Sequence, residues 1–140
     1  MSHASLTRRV KFSARHRFWN SEWTDAENVK VFGPSADVRY HGHSYTCDVT
    51  IRGRPDARSG MVVDLAEFDR VLRHEVRDRF DNKTINEEVP EFFDGRLSPS
   101  GENLARFIFE RVRASLVSEV QVTEVTVAED DTLRAGYRGD

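Results

Sequence analysis

Three histidines have positions that could do chemistry. His41 and His43 flank Gly42. In a strand, that i, i+2 spacing points both imidazoles to one face with no side chain between them. His16 falls on the apolar side of an earlier alternating segment. A third imidazole from a neighbouring strand would complete a three-nitrogen site. Neutral imidazole suits zinc at about 2.0–2.1 Å, and three protein ligands leave a position for water or substrate, as in catalytic rather than structural zinc sites. The alternative is a set of hydrogen-bonded core histidines, and spacing alone does not pair the two strands. One cysteine, Cys47, makes neither an internal disulfide nor a Cys-based zinc site, which suits a reducing cytoplasm.

The elements that must position these residues follow from periodicity. From Leu6 to Phe18 the even positions are mostly apolar and the odd ones mostly basic, a half-buried strand carrying His16. Trp19 to Tyr40 reads as a long loop. A second strand runs from about His41 to Arg52, with His41, His43, Tyr45, Cys47, Val49 and Ile51 on one face. Gly53–Gly60 is a hairpin-type loop into a short Met61-Val62-Val63 segment. Asp64 caps a helix, with Glu67 completing a capping box and Leu65, Phe68, Leu72, Val76 and Phe80 as its apolar stripe. A charged loop from Asp81 to Leu97 leads to Ser98-Pro99, read as a second helix start with proline at its first position. Leu104, Phe107, Ile108, Val112 and Leu116 form that helix's stripe, and Val120 to Glu129 is a last strand before a polar tail with Tyr137. Strands, two helices, then one or two strands make an α+β layer fold with an antiparallel sheet.

The 140 residues make one domain, with 38% apolar and 32% charged residues and a formal net charge of −3. That balance gives no reason to expect nucleic acid or an acidic membrane as partner. No apolar run approaches the roughly 20 residues of a membrane span. Met1 to Arg9 has no apolar core, so no signal peptide is expected and the cytoplasm is the expected location.

A set of short stretches then resembles the 6-pyruvoyl-tetrahydropterin synthase family, which includes the 6-carboxy-tetrahydropterin synthases of the queuosine pathway. They are Phe12-Ser13-Ala14-Arg15-His16, Glu27-Asn28, Phe32-Gly33, His41-Gly42-His43-Ser44-Tyr45 and Gly60-Met61-Val62-Val63-Asp64, then Pro99-Ser100-Gly101-Glu102-Asn103-Leu104-Ala105 and Ala128-Glu129 before Tyr137. They keep the family's order and span nearly the whole chain. The resemblance implies Zn2+ on His16, His41 and His43. It implies the tunnelling fold as well: a four-stranded antiparallel sheet with two helices on one face (ββααββ), assembled into an oligomeric barrel. A homo-oligomer, with a hexamer favoured, would hold its sites at subunit interfaces. Glu129 stands where the family anchors the pterin's amino-pyrimidine edge, and Ser100 where it has a threonine near the ring. Ser100 could equally be only a helix cap.

The chain departs from the family in its proton carriers. Ser35 occupies the place of the family's cysteine, and serine has no titration near neutral pH. Asn82 follows Asp81 where the family has an Asp-His pair, and asparagine cannot accept the proton of general-base catalysis. Cys47 lies on the core face and reads as packing, and His74 as a surface residue. Asp37 and Glu27 are the local carboxylates that could replace the cysteine. The leading expectation is a zinc-dependent carbon–oxygen lyase or cyclase acting on a dihydropterin or related amino-pyrimidine, with altered proton transfer. One alternative is the ordinary 6-pyruvoyl or 6-carboxy reaction on dihydroneopterin triphosphate, which would need several of Arg15, Arg17 and Lys83 to converge. The other is a pterin-binding homologue without catalysis.

Overall fold

The computed structural model describes residues 2–140. Alternation of apolar and polar residues produces two long strands, β1 (Ala4–His16) and β2 (His41–Gly53). They pair antiparallel over their full length, with Phe12 opposite Tyr45 and His16 opposite His41. Strand β4 (Gln121–Ala128) lies antiparallel on the other side of β2, and β5 (Arg134–Tyr137) antiparallel on β4. Between them in sequence, β3 (Lys83–Thr84) pairs parallel with Ala14 and Arg15 at the outer edge of β1. The sheet order is β3-β1-β2-β4-β5, so there are five strands rather than the four expected, the fifth being this two-residue addition.

The helices cover the face that carries the apolar alternation. Asp64 caps α2 (Leu65–Leu72), accepting from the Ala66 and Glu67 amides. The helix continues through a single π turn, Arg73–Arg77, into α3 (Asp78–Phe80). The second long helix, α5 (Gly101–Ser115), buries Leu104, Ile108 and Val112 against the sheet. Its cap is Ser100, not Ser98, so Pro99 lies outside the helix, where its carbonyl meets His16 as described below. In the core, Phe12 stacks on Tyr45 at 4.9 Å and on Phe80 at 5.4 Å between ring centroids. Cys47 is fully buried there, and burial, with Asp48 beside it, pushes its thiol up.

Two segments read as loops are structured differently. The stretch after β1 contains α1 (Asp25–Phe32), a helix whose only buried residue is Asn28. Asp81 to Leu97 holds β3, a short α4 (Ile85–Glu88) and a 3-10 turn, Pro90–Gly95. Met61-Val62-Val63 forms no strand. Among the described residues no helix is long and apolar enough to cross a membrane.

The π turn buries Glu75 against α5, where it accepts from Arg79 Nε at 2.9 Å, Arg111 Nε at 3.1 Å and Ser115 Oγ at 3.2 Å. Burial alone would raise this carboxyl, but the hydrogen bonds from Arg111 and Arg79 override it and hold it down at about 2. The folded value lies below the ordinary 4.5, so the group stabilises the fold above pH 4.5 and that contribution is lost as pH falls toward 2. Glu75→Gln is expected to cost about 1–3 kcal/mol at pH 7. In urea unfolding, the gap to wild type should close progressively below pH 4; a gap independent of pH would contradict this.

Candidate metal centre and cleft

The register of β1 and β2 sets His16 beside His41 and Ala14 beside His43, which gathers the three imidazoles on the inner face at one end of the sheet. Ring centroids are 4.5 Å apart for His16 and His41, and 5.1 Å for each remaining pair. One nitrogen from each ring lies within 4.8 Å of the other two. His16 Nδ1 is 2.9 Å from the Pro99 carbonyl oxygen. A carbonyl only accepts, so Nδ1 carries the proton and Nε2 presents its lone pair to the other two rings. The Tyr45 hydroxyl, 3.1 Å from the same Nδ1, fixes the ring further.

Electrostatics keep this ring neutral. Burial first, then the neighbouring His41 and His43, pull His16 down to about 3 against the raising effect of the Pro99 carbonyl. Burial and His43 also lower His41. Both rings are therefore neutral at pH 7, the form that binds metal. His16 Nε2 and His43 Nε2 are buried with no hydrogen-bond partner. Orphaned buried groups cost about 1–3 kcal/mol each, and a ligand held between these two would satisfy both. A donor set of three imidazoles fits a zinc-type ion.

The triad opens into a cleft of about 590 Å3 lined by Phe18, Phe32, Ser35, His41, His43, Ser100 and Glu129, among others. Ser35 sits in a 3-10 turn, Gly33–Ala36, with its carbonyl accepting from the Phe18 amide at 2.8 Å. Ser100 both lines the cleft and caps α5, accepting from the Asn103 amide at 3.2 Å. Glu129 follows β4 and turns its carboxylate to the triad, 3.8 Å from His16 Nε2 and 3.6 Å from His43 Nε2.

The remaining predicted site residues lie elsewhere. Asp37 forms an ion pair with Arg39 at 2.9 Å, and hydrogen bonds from the Arg39 side chain and amide hold it at about 2. It is not among the cleft residues, and neither is Glu27, which is exposed on α1. Asp81 accepts from the Ser13 amide at 2.9 Å. Asn82 adopts φ 60°, a left-handed conformation asparagine tolerates well, and donates its amide to the Ser13 carbonyl at 2.7 Å. It lines a second pocket, of about 500 Å3, that shares only His43 with the cleft. Arg15 and Lys83 line this second pocket, whereas Arg17 stacks on Trp19 at 4.1 Å and lines a third. His74 is mostly exposed and contacts Glu75 at 3.3 Å.

The sequence reading gave no structural role to several residues that support the site. Phe18 meets His16 edge-on at 5.0 Å and packs on Phe32, which stacks on Trp23, giving the cleft an aromatic wall. Asn28 shapes that wall from inside, accepting from the Asn20 amide and donating to the Asn20 and Thr24 carbonyls. Asn86 clasps both the amide and the carbonyl of Arg17, fixing the chain as it leaves β1. Tyr45 was the recoverable one, since it lies two residues beyond His43 on the same strand face.

Comparison with known proteins agrees with this architecture. The family profile for 6-pyruvoyl tetrahydropterin synthase matches residues 5–140. The chain is 38% identical over 136 residues to a Drosophila melanogaster 6-pyruvoyl tetrahydrobiopterin synthase, covering 97% of this chain and 80% of that one. It is 33% identical over 137 residues to the Homo sapiens 6-pyruvoyl tetrahydrobiopterin synthase, covering 98% and 92%. The structure of Caenorhabditis elegans 6-pyruvoyl tetrahydropterin synthase superposes with a TM-score of 0.91 at 30% identity, covering 100% of this chain and 98% of that one. An antiparallel sheet that brings three histidines into one cleft, matched along nearly the whole chain, places this protein in the 6-pyruvoyl tetrahydropterin synthase family.

Proposed function

We propose that the chain is a zinc-dependent carbon–oxygen lyase that acts on a dihydropterin with a polar side chain, dihydroneopterin triphosphate being the first candidate. One observation carries the metal part of the reading: two buried, unpartnered Nε2 atoms at the floor of a cleft that holds a carboxylate. Zinc bound there would act as a Lewis acid on the substrate's side-chain oxygens, making the adjacent C–H bonds more acidic. Glu129 would accept two N–H bonds from the amino-pyrimidine edge, the geometry a carboxylate takes with a planar two-donor group. Ser100 presents a hydroxyl to the same cleft, and Phe18 and Phe32 shield one side of it from water.

Proton movement is the altered part. Ser35 has the place of a carrier without a thiol's acidity. Asp37 is held ionised by Arg39 outside the cleft, so Asp81 is the better carboxylate for this role. Asp81 and Asn82 lie on the second pocket's side of His43, so their contribution would come across a contact between copies of the chain. The homo-oligomer proposed for this, a hexamer by the resemblance, would use the outer edge of β1, which β3 covers only at Ala14 and Arg15.

The test is an assay of zinc-loaded protein with dihydroneopterin triphosphate that follows both bound ligand and product. Binding with slow conversion is expected, since general acid–base groups contribute roughly 10²–10⁴-fold and two are missing. Binding without any conversion would favour the pterin-binding homologue. Absence of binding would reject a pterin substrate.

A further inference from the structure

Glu129 belongs to a turn in which its neighbours behave differently. Asp130 points back to the chain, accepting from the Thr132 and Leu133 amides. Glu129 instead continues the inward alternation of β4, in which Val125 and Val127 are buried, and its side chain is only 12% exposed. Its amide is tied to the Leu133 carbonyl at 3.1 Å, which fixes the backbone that aims the carboxylate. Oε1 faces His16 Nε2 at 3.8 Å and Oε2 faces His43 Nε2 at 3.6 Å. Neither contact is a hydrogen bond, being too long. Among the described residues the carboxylate has no hydrogen-bond donor.

A carboxylate and two imidazole Nε2 atoms thus converge, and among the described residues none of them has a hydrogen-bond partner. A cation among them would give each of these atoms the partner it lacks. Donors about 2.0–2.1 Å from a common tetrahedral ion are roughly 3.4 Å apart, close to the spacings seen. We propose that Glu129 is a fourth ligand of the resting metal centre, and that it leaves the ion for the substrate's amino-pyrimidine edge when substrate binds. The exchange keeps the ion's open position closed to water until the ring arrives. Glu129 has this role only if the histidines hold a divalent cation, as proposed above.

The probe is Co2+, whose visible absorption reports coordination number and ligand type. Wild type and Glu129→Gln are loaded with Co2+, their affinities measured by competition with a chromophoric chelator, and unphosphorylated 7,8-dihydroneopterin is then added. The Glu129→Gln protein should bind Co2+ more weakly by more than the roughly 10- to 100-fold that loss of an outer-shell partner costs, and show a different spectrum before any pterin is added. Dihydroneopterin should change the wild-type spectrum. Equal affinity and superimposable spectra, with pterin binding lost in Glu129→Gln, would overturn the proposal and leave Glu129 as a ring anchor alone. A wild-type protein that takes up no Co2+ would overturn the metal reading itself, a distinct failure.

Discussion

Replacing His41 by alanine is expected to remove both bound zinc and turnover while leaving the fold in place. Three of the chain's imidazoles converge, but they are not equally suited to a test. His16 is fully buried and bonded to Pro99 and Tyr45, so its loss would open a cavity and free a buried carbonyl. His41 is half-buried at the start of β2 and among the described residues makes no side-chain hydrogen bond, so His41→Ala acts on the metal rather than on the core. With apparent binding energies of about 10–16 kcal/mol spread over the ligand set, one lost ligand should weaken zinc by roughly 10³-fold. Thermal unfolding gives an independent readout. At zinc about 100-fold above its Kd, wild type gains about 2.7 kcal/mol, and His41→Ala should gain almost nothing at the same concentration. Stoichiometric zinc and full activity in His41→Ala would reject the three-histidine centre.

Much of this arrangement was legible because strand alternation has a period of two. His16 continued the apolar side of β1, and His41 and His43 the apolar side of β2, so the faces could be read without knowing the partners. The register could not, because no short turn joins the two strands to fix it. The first helix carried a hidden signal. Phe68, Leu72, Val76 and Phe80 are spaced by successive steps of four, which in a regular helix would drift around the axis by about 40° each. The π turn at Arg73–Arg77 absorbs the extra residue and keeps Val76 and Phe80 in the core. Helix α1 was missed for the opposite reason: it buries one asparagine and leaves Val29 and Val31 exposed, so it has no apolar stripe. Its Thr24-Asp25-Ala26-Glu27 start was the available clue, and the Thr24 hydroxyl does accept from the Glu27 amide. The role of Pro99 had no sequence signal, since it acts through a backbone carbonyl.

If Ser35 and Asn82 stand in for proton carriers as proposed, a thiol and an imidazole at these positions should raise turnover. Ser35 already lines the cleft, so in Ser35→Cys the sulfur would enter it without any change of backbone. A thiol near pKa 8.5 titrates within reach of neutral pH, whereas a serine hydroxyl does not. Asn82→His is tolerable for a different reason: histidine is among the few residues enriched at positive φ, so the 60° conformation held by the Asn82–Ser13 bond survives. The imidazole then brings a pKa near 6.5 to the pocket that already holds His43. Each group alone lacks its partner in the transfer. The single variants should therefore gain little, and Ser35→Cys combined with Asn82→His should raise turnover of dihydroneopterin triphosphate by roughly 10²–10⁴-fold, with the pterin Kd nearly unchanged. The two positions line separate pockets of one chain, so under the homo-oligomer proposed above the gain should depend on contact between copies. It should disappear when Ser35→Cys and Asn82→His protein is diluted to monomer. A double variant that binds pterin as tightly as wild type, yet turns it over no faster, would mean that this chain moves protons by a route that does not pass through positions 35 and 82.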